Sequence, residues 1–309
     1  MKLRKVLSIA LAALMLASAA ALASCGEEKG QNSDAPAGEQ TKAATMAEAK
    51  SLADLAGKKI AAQAGTFHAD ALTQIDKVQS STYPDFTDLL VAVQSGAIDG
   101  YIAEEPTAFA VCLGDETLDY VRLVNNDTGF TATDADTGIA VGLIEGSPLR
   151  DQINAVLADV TAEQRSALMQ QMVELSNGKE IGELAITSEA PAETTGTLKI
   201  AMECAYEPFN WTDLNEPTTG AVEIYGSDGQ VVDGRFANGY DVQIAQYIAN
   251  KLGLKLEVYA IEWDSLIPAV QSGVVDGIIA GMSPTAEREE QVDFTNVYYS
   301  SNLVVIYKK

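Results

Sequence analysis

The chain has 309 residues, a formal net charge of −24 and 47% apolar residues. That is the balance of a globular protein with an acidic surface; it argues against nucleic acid, whose phosphates such a chain repels, and against a basic membrane-surface helix. With His68 the only histidine and three cysteines at no zinc-ligand spacing, no metal or other cofactor is expected.

Residues 1–25 predict an export signal. Lys2, Arg4 and Lys5 precede an apolar run from Val6 to Leu22, and the run closes on Leu22, Ala23, Ser24 and Cys25. Such a segment is removed and does not count as a membrane span. Its ending resembles a lipoprotein signal, with cleavage before Cys25 and a lipid on the sulfur. An ordinary signal with a chance cysteine is the alternative. Residues 26–48 read as a flexible tether, because polar and small residues with few aromatics cannot bury enough surface to fold.

SLADLAG at 51–57 reads as a short helix stopped by Gly57, and KKIAAQAG at 58–65 as a strand and turn. A helix follows over 66–76 with Thr66 as cap, then a helix at 88–95, a strand at 98–103, a helix at 106–112 and a strand at 120–124. Strands alternating with helices predict βαβ units and a mostly parallel sheet. Residues 125–136 are turn-rich and read as a connection between lobes; 137–143 reads as one strand. Two helices follow within 147–176, the second capped by Thr161 with Gln164 as its reciprocal partner. Residues 177–196 read as a surface linker. Beyond it come a strand at 197–202, a strongly amphipathic helix at 239–254, a strand at 255–263 and a final apolar strand pattern at 300–309.

A near-repeat ties the two halves together. Residues 89–103 read LLVAVQSGAIDGYIA, and residues 266–280 read LIPAVQSGVVDGIIA, at a constant offset of 177. Each copy predicts an amphipathic helix, a Gly turn and a short buried strand. Two α/β lobes built on one plan follow from it. Cys112 and Cys204 fall in different lobes, so a bridge between them rests on parity alone.

From 197 to 309 the chain resembles the first half of the polar-amino-acid (family 3) periplasmic binding proteins. The segments that carry this are AYEPFNW at 205–211, NGYDVQIA at 238–245, the run EWDSLIPAVQSGVVDGIIAGMSPTAER at 262–288 and VDFTNVYYSSNLVVIYKK at 292–309. From 51 to 176 it resembles the second half, through SLADLAGKKIAAQAGT, VAVQSGAIDGYIAEEPTA and TGIAVGLIEGSPLRDQINAVL. An acidic insert near 212–234 lies outside the match. The resemblance implies an α/β, two-lobe type II periplasmic-binding-protein (Venus flytrap) fold with circularly permuted lobe order. Residues 49–130 would form the family's second lobe, 131–176 with 197–309 the first, and 177–196 would join the usual termini. Only the crossing near 125–136 would then stay covalent, and the strand ending at Lys309 would lie near Ala49. A tandem copy cut short and an exchanged dimer are the competing accounts; a monomer is the expected state.

The resemblance also implies a site. A buried zwitterion needs a bidentate cation and N–H donors for its carboxylate, a carboxylate for its ammonium, and a shaped pocket for its side chain. Arg288 matches the arginine that grips the carboxylate, with Ser283 at a helix start, and Thr66 and Phe67 in the other lobe, supporting it. Gly281 matches the position whose backbone meets the ammonium. Glu104 stands where the family usually has Asp as the ammonium's counter-ion, one methylene longer here. Tyr206 and Trp263 match the aromatic pair around the side chain. Glu203 matches an acid found in binders of cationic amino acids, and Gln63 reaches the same side chain. For each, the plainer reading is a surface charge, a turn or a core aromatic. His68 reads as surface or rim.

The function so implied is an extracytoplasmic, lipid-anchored receptor, not an enzyme. It would bind a free polar or cationic amino acid between its lobes and deliver it to an ABC permease, touching the membrane only through its anchor. A tethered sensor with a membrane signalling partner is the runner-up. A dehydratase-like enzyme on the same fold is the third class, with Glu104 or Glu203 as general acid.

Overall fold

The computed structural model describes residues 45–123, 129–226 and 228–309. The export signal, Cys25, most of the tether and residues 124–128 of the connection lie outside the described residues. Among the described residues no helix is long and apolar enough to cross a membrane.

The chain folds as two α/β lobes. Strands β1 (Lys59–Gln63), β2 (Gln79–Tyr83), β3 (Gly100–Glu104) and β4 (Leu118–Arg122) alternate with helices α1 (Phe67–Ala71), α2 (Phe86–Ser95) and α3 (Glu105–Gly114). Asp85 caps α2, accepting the Asp88 N–H at 2.8 Å, so that helix starts two residues before its expected 88. Helix α1 is short, because the chain tightens into a 3-10 turn at Leu72–Gln74.

Next come α4 (Asp134–Thr137), β5 (Gly138–Ile139), β6 (Gly142–Leu143), α5 (Leu149–Ala158) and α6 (Ala162–Ser176), the last capped by Thr161 and Gln164 as expected. The expected single strand at 137–143 is broken in two, because its halves serve different partners. Residues 177–196 form neither helix nor strand, yet they are not only a surface linker. Ile186 is buried, and Gln171 on α6 bonds Glu183 and Ala185 along the way.

The remaining chain supplies β7 (Thr197–Met202), β8 (Ala205–Tyr206), β9 (Asn210–Leu214), β10 (Val222–Tyr225), β11 (Val231–Asn238), α7 (Tyr240–Leu252), β12 (Lys255–Ala260), α8 (Leu266–Gln271), β13 (Gly277–Ile278), α9 (Ala286–Glu289), β14 (Asp293–Phe294), β15 (Tyr299–Ser300) and β16 (Leu303–Lys308). A nine-stranded sheet runs β14-β6-β13-β7-β12-β10-β11-β9-β8. The acidic insert is ordered into its edge, through β9, β10 and β11.

The first sheet runs β2-β1-β3-β16-β4. The C-terminal strand therefore does not stay with residues 197–302, as the expected boundary had it. It lies antiparallel between β3 and β4, with Val305 opposite both Ile102 and Val121. Its alternating side chains fill both faces: Leu303, Val305 and Tyr307 pack with Ile60, Ile102 and Leu55, while Val304 and Ile306 face the core that holds Tyr101, Leu89 and Val93. A strand buried on both faces must read as a continuous apolar run, and LVVIY does. Met46 and Ala49 share the first of these clusters, so the start of the described chain does lie beside its end.

This placement also corrects the hinge. Two chain segments, not one, join the lobes. β5 and β15 run antiparallel, Ile139 opposite Tyr299, as a two-stranded ribbon between the sheets.

The near-repeat acquires a physical meaning. Asp99 accepts the Lys59 N–H at 2.8 Å, and Asp276, the matching residue, accepts the Lys199 N–H at 2.8 Å. Each Asp thus ties the turn after its helix to the start of the neighbouring strand. The glycine that follows sits where backbones crowd. A methyl on Gly100 would come 2.8 Å from the Ile306 carbonyl oxygen, whereas one on Gly277 would meet the Leu143 side chain at 3.0 Å and a backbone oxygen, that of Gly142, only at 3.2 Å. Backbone cannot yield as a side-chain tip can. Gly100→Ala should therefore cost about 2–3 kcal/mol and Gly277→Ala about 1 kcal/mol, read from urea unfolding midpoints. Equal losses would contradict the account.

Candidate functional site

Parallel strands of both lobes end at the same place. Gln63 closes β1 and Glu104 closes β3; Glu203 follows β7, and Gly281 and Ser283 follow β13. Clefts beyond the carboxyl ends of such strands are where α/β sheets bind ligands. Nine of the ten sequence-nominated residues line one cavity there: Gln63, Thr66, Phe67, Glu104, Tyr206, Trp263, Gly281, Ser283 and Arg288. The tenth, Glu203, accepts a 2.7 Å hydrogen bond from Gln63 Nε2.

Gln63 and Glu203 are equivalents under the internal repeat of the fold. β1 and β7 both carry the triplet KIA, from Lys59 and from Lys199; Ile60 pairs with Gly100, and Ile200 with Gly277. The two side chains therefore leave matching strand ends and meet across the cleft. Burial pushes the Glu203 carboxyl up to about 7, with Asp85, Glu262 and Asp264 adding to the rise and the Gln63 bond opposing it.

Arg288 is buried, and burial lowers its pKa against the pull of Asp70, Glu287 and Glu104. Its Nη1 donates to the Ser283 carbonyl at 2.9 Å and its Nη2 to the Gly65 carbonyl at 3.0 Å, reaching across the lobes. The guanidinium lies 5.2 Å from the Trp263 ring centre, a cation–π contact. Trp263 Nε1 donates to the same Gly65 carbonyl at 3.1 Å.

Ser283 does not start a helix, as the sequence had suggested. Pro284 follows it and disfavours helical backbone at 283, so the one-turn helix α9 starts only after Thr285, which holds the N-cap position without a side-chain bond. The Ser283 hydroxyl donates to the Asp136 carbonyl at 2.8 Å, fastening the site to the connection between lobes. Thr66 does cap α1.

Gly281 has φ +61°, and a methyl there would come 3.1 Å from the Tyr206 ring. Its N–H is held by Asp241, which also accepts the Tyr298 hydroxyl at 2.7 Å and Asn210 Nδ2 at 2.9 Å. Burial pushes Asp241 up to about 7 against those three bonds.

Two residues at the cavity were not nominated. Phe86 stacks on Tyr206 with ring centres 3.9 Å apart and planes at 13°, while Phe209 covers the ring at 4.9 Å. His68, expected at the surface or rim, is 6% exposed and lies 3.0 Å from Glu104. Helix α1 turns it inward, a direction that no local pattern in GTFHAD signals. The cavity these groups leave is about 10 Å³, room for one water at most. Cys112 and Cys204 are both free thiols.

The profile of the bacterial extracellular solute-binding proteins, family 3, matches residues 230–309. That segment carries a family 3 solute-binding sequence. It includes Trp263, Gly281, Ser283 and Arg288. Among curated relatives, the arginine-binding extracellular protein ArtP of Bacillus subtilis is 45% identical over 71 residues, 23% of this chain and 28% of that protein. A probable histidine-binding protein of Campylobacter jejuni is 34% identical over 110 residues, 36% of this chain and 35% of that one. The chain thus spans about a third of the length of the curated relatives it matches. Solved structures that align in part include the ancestral amino acid-binding protein AncCDT-1, at 31% identity and TM-score 0.24 over 32% of this chain and 36% of that one. Another is the arginine-bound form of domain 1 from TmArgBP, at 24% identity and TM-score 0.24 over 37% and 80%.

Glu203 makes stability depend on pH with a definite sign. Its folded pKa of about 7 lies above the ordinary 4.5, so its contribution is full below about 4.5 and is lost as pH rises through about 7. Between pH 5 and 8 the Glu203→Gln variant should show a flatter fall in melting temperature than the unsubstituted protein. Parallel curves would count against the buried-acid assignment.

Proposed function

We propose that this chain is an extracytoplasmic receptor that binds a free amino acid, polar or cationic, between its lobes and hands it to an ABC permease. The observation that carries this is the convergence of Arg288, Glu104 and Glu203 with Tyr206 and Trp263 at the strand ends of both lobes. The arginine meets the ligand's carboxylate, Glu104 its ammonium, and the aromatics its side chain. Glu203 with Gln63 favours a cationic tip. The names of the relatives, arginine- and histidine-binding proteins among them, support an amino acid as ligand and binding rather than catalysis.

A cavity of about 10 Å³ admits no amino acid, so entry requires the lobes to part about the β5–β15 ribbon. In this reading the protein works as a pair of states, open and closed, that the ligand biases. Lipidation at Cys25 would hold it at the membrane, and the order of its halves is read as a circular permutation in a monomer. That order is supported by the start of the described chain lying beside the end of β16. A sensor for a membrane signalling partner would use the same site and the same closure.

Thermal unfolding against the twenty amino acids plus ornithine tests the reading. A ligand at 100 times its Kd should stabilise the fold by about 2.7 kcal/mol. Arg288→Ala should weaken that ligand about a hundredfold, since it leaves the ligand's carboxylate buried without its partner. A cooperative melt that no amino acid shifts would sink the proposal.

A cationic ligand should bind more tightly as pH rises through about 7, because only the ionised Glu203 attracts it. Calorimetry in buffers of different ionisation enthalpy should register proton release on binding. In Glu203→Gln that release should disappear.

A further inference from the structure

The buried pair His68–Glu104 is not explained by packing. Both side chains are 8% exposed, and Nε2 lies 3.0 Å from Glu104 Oε1. A carboxylate oxygen only accepts, so this bond needs the proton on Nε2. Phe86 meets the His68 ring edge-on, at 5.8 Å and 83°, and so limits its rotation. The bond occupies one oxygen of Glu104. The other, Oε2, is buried and has no partner among the described residues; the same holds for His68 Nδ1 and the Tyr206 hydroxyl. All three residues line the one cavity. Buried polar atoms are paired as a rule, and three orphans at one cavity point to a ligand that pairs them.

A glutamate has one more rotatable bond than an aspartate. Left alone in a cavity, it would spread its charge over several rotamers, and a ligand would have to freeze one of them. A bond at Oε1 removes that freedom in advance. From these distances we infer that His68 is a positioning residue for ligand binding: it fixes Glu104 so that Oε2 faces the amino group of the ligand. The inference rests on the amino-acid reading above. It assigns a role in recognition to the only histidine of the chain.

Three proteins and two probes test it. The proteins are the unsubstituted chain, His68→Leu, which removes the donor, and His68→Gln, which keeps a donor at the end of the side chain. The probes are L-arginine and 5-guanidinopentanoate, which is arginine without its α-amino group. In His68→Leu, arginine should weaken about tenfold while the des-amino probe changes less than about twofold; His68→Gln should restore arginine to within about threefold. A cooperative melt for each variant guards against simple unfolding. Equal losses of both probes in His68→Leu, or no rescue by His68→Gln, would overturn the positioning role while leaving the amino-acid reading intact. Should the unsubstituted protein bind neither probe, the pair becomes whichever amino acid raises its melting temperature and that acid's des-amino analogue; if no amino acid does, reading and inference fall together.

Discussion

The rest of the structure depends on one strand insertion. Strand β16 completes the first sheet from the far end of the chain, antiparallel between β3 and β4. Without it, β4 would lose its only sheet neighbour among the described residues, and the apolar faces that Val304, Val305 and Ile306 cover would open to water. Its consequences reach the cleft. Because β16 has already crossed from the other lobe, β15 must run beside β5, and the two lobes are joined by two strands instead of one. Two strands paired side by side constrain the joint more than a single connection would.

The internal repeat sets what meets in the cleft. Matching KIA triplets start at Lys59 in β1 and Lys199 in β7, matching aspartates clamp the N–H groups of those two lysines, and the strands deliver Gln63 and Glu203 to their ends. Equivalent positions in the two lobes therefore face each other. The fold needs no special device to place polar groups from distant parts of the chain within 3 Å; Gln63 and Glu203 are 140 residues apart. The copies depart from strict symmetry at this point. One copy ends in an amide, the other in an acid.

The cleft is a place where burial competes with charge. Glu203 and Asp241 are both pushed up by desolvation, yet their surroundings differ. Asp241 is held by three donors and serves the backbone at Gly281. Glu203 has one, and three further acids work against its ionisation. Arg288 gives two of its five N–H groups to the Ser283 and Gly65 carbonyls, one in each lobe.

Much of this was legible in the sequence. Alternating strand and helix patterns, the Thr161–Gln164 capping box and the paired Gly turns are local signals, and the backbone obeys them locally. The segments that resemble the family likewise nominated residues the fold brings to one cavity. Tertiary structure decided the remainder. An apolar run such as LVVIY fits any sheet buried on both faces, so its pattern is silent on which lobe it completes. The 137–143 run split because its two halves found different partners far along the chain. His68 and Phe86 went unnominated for the same reason: a side chain's burial and partners depend on what the distant chain brings to it, and neither periodicity nor spacing encodes that.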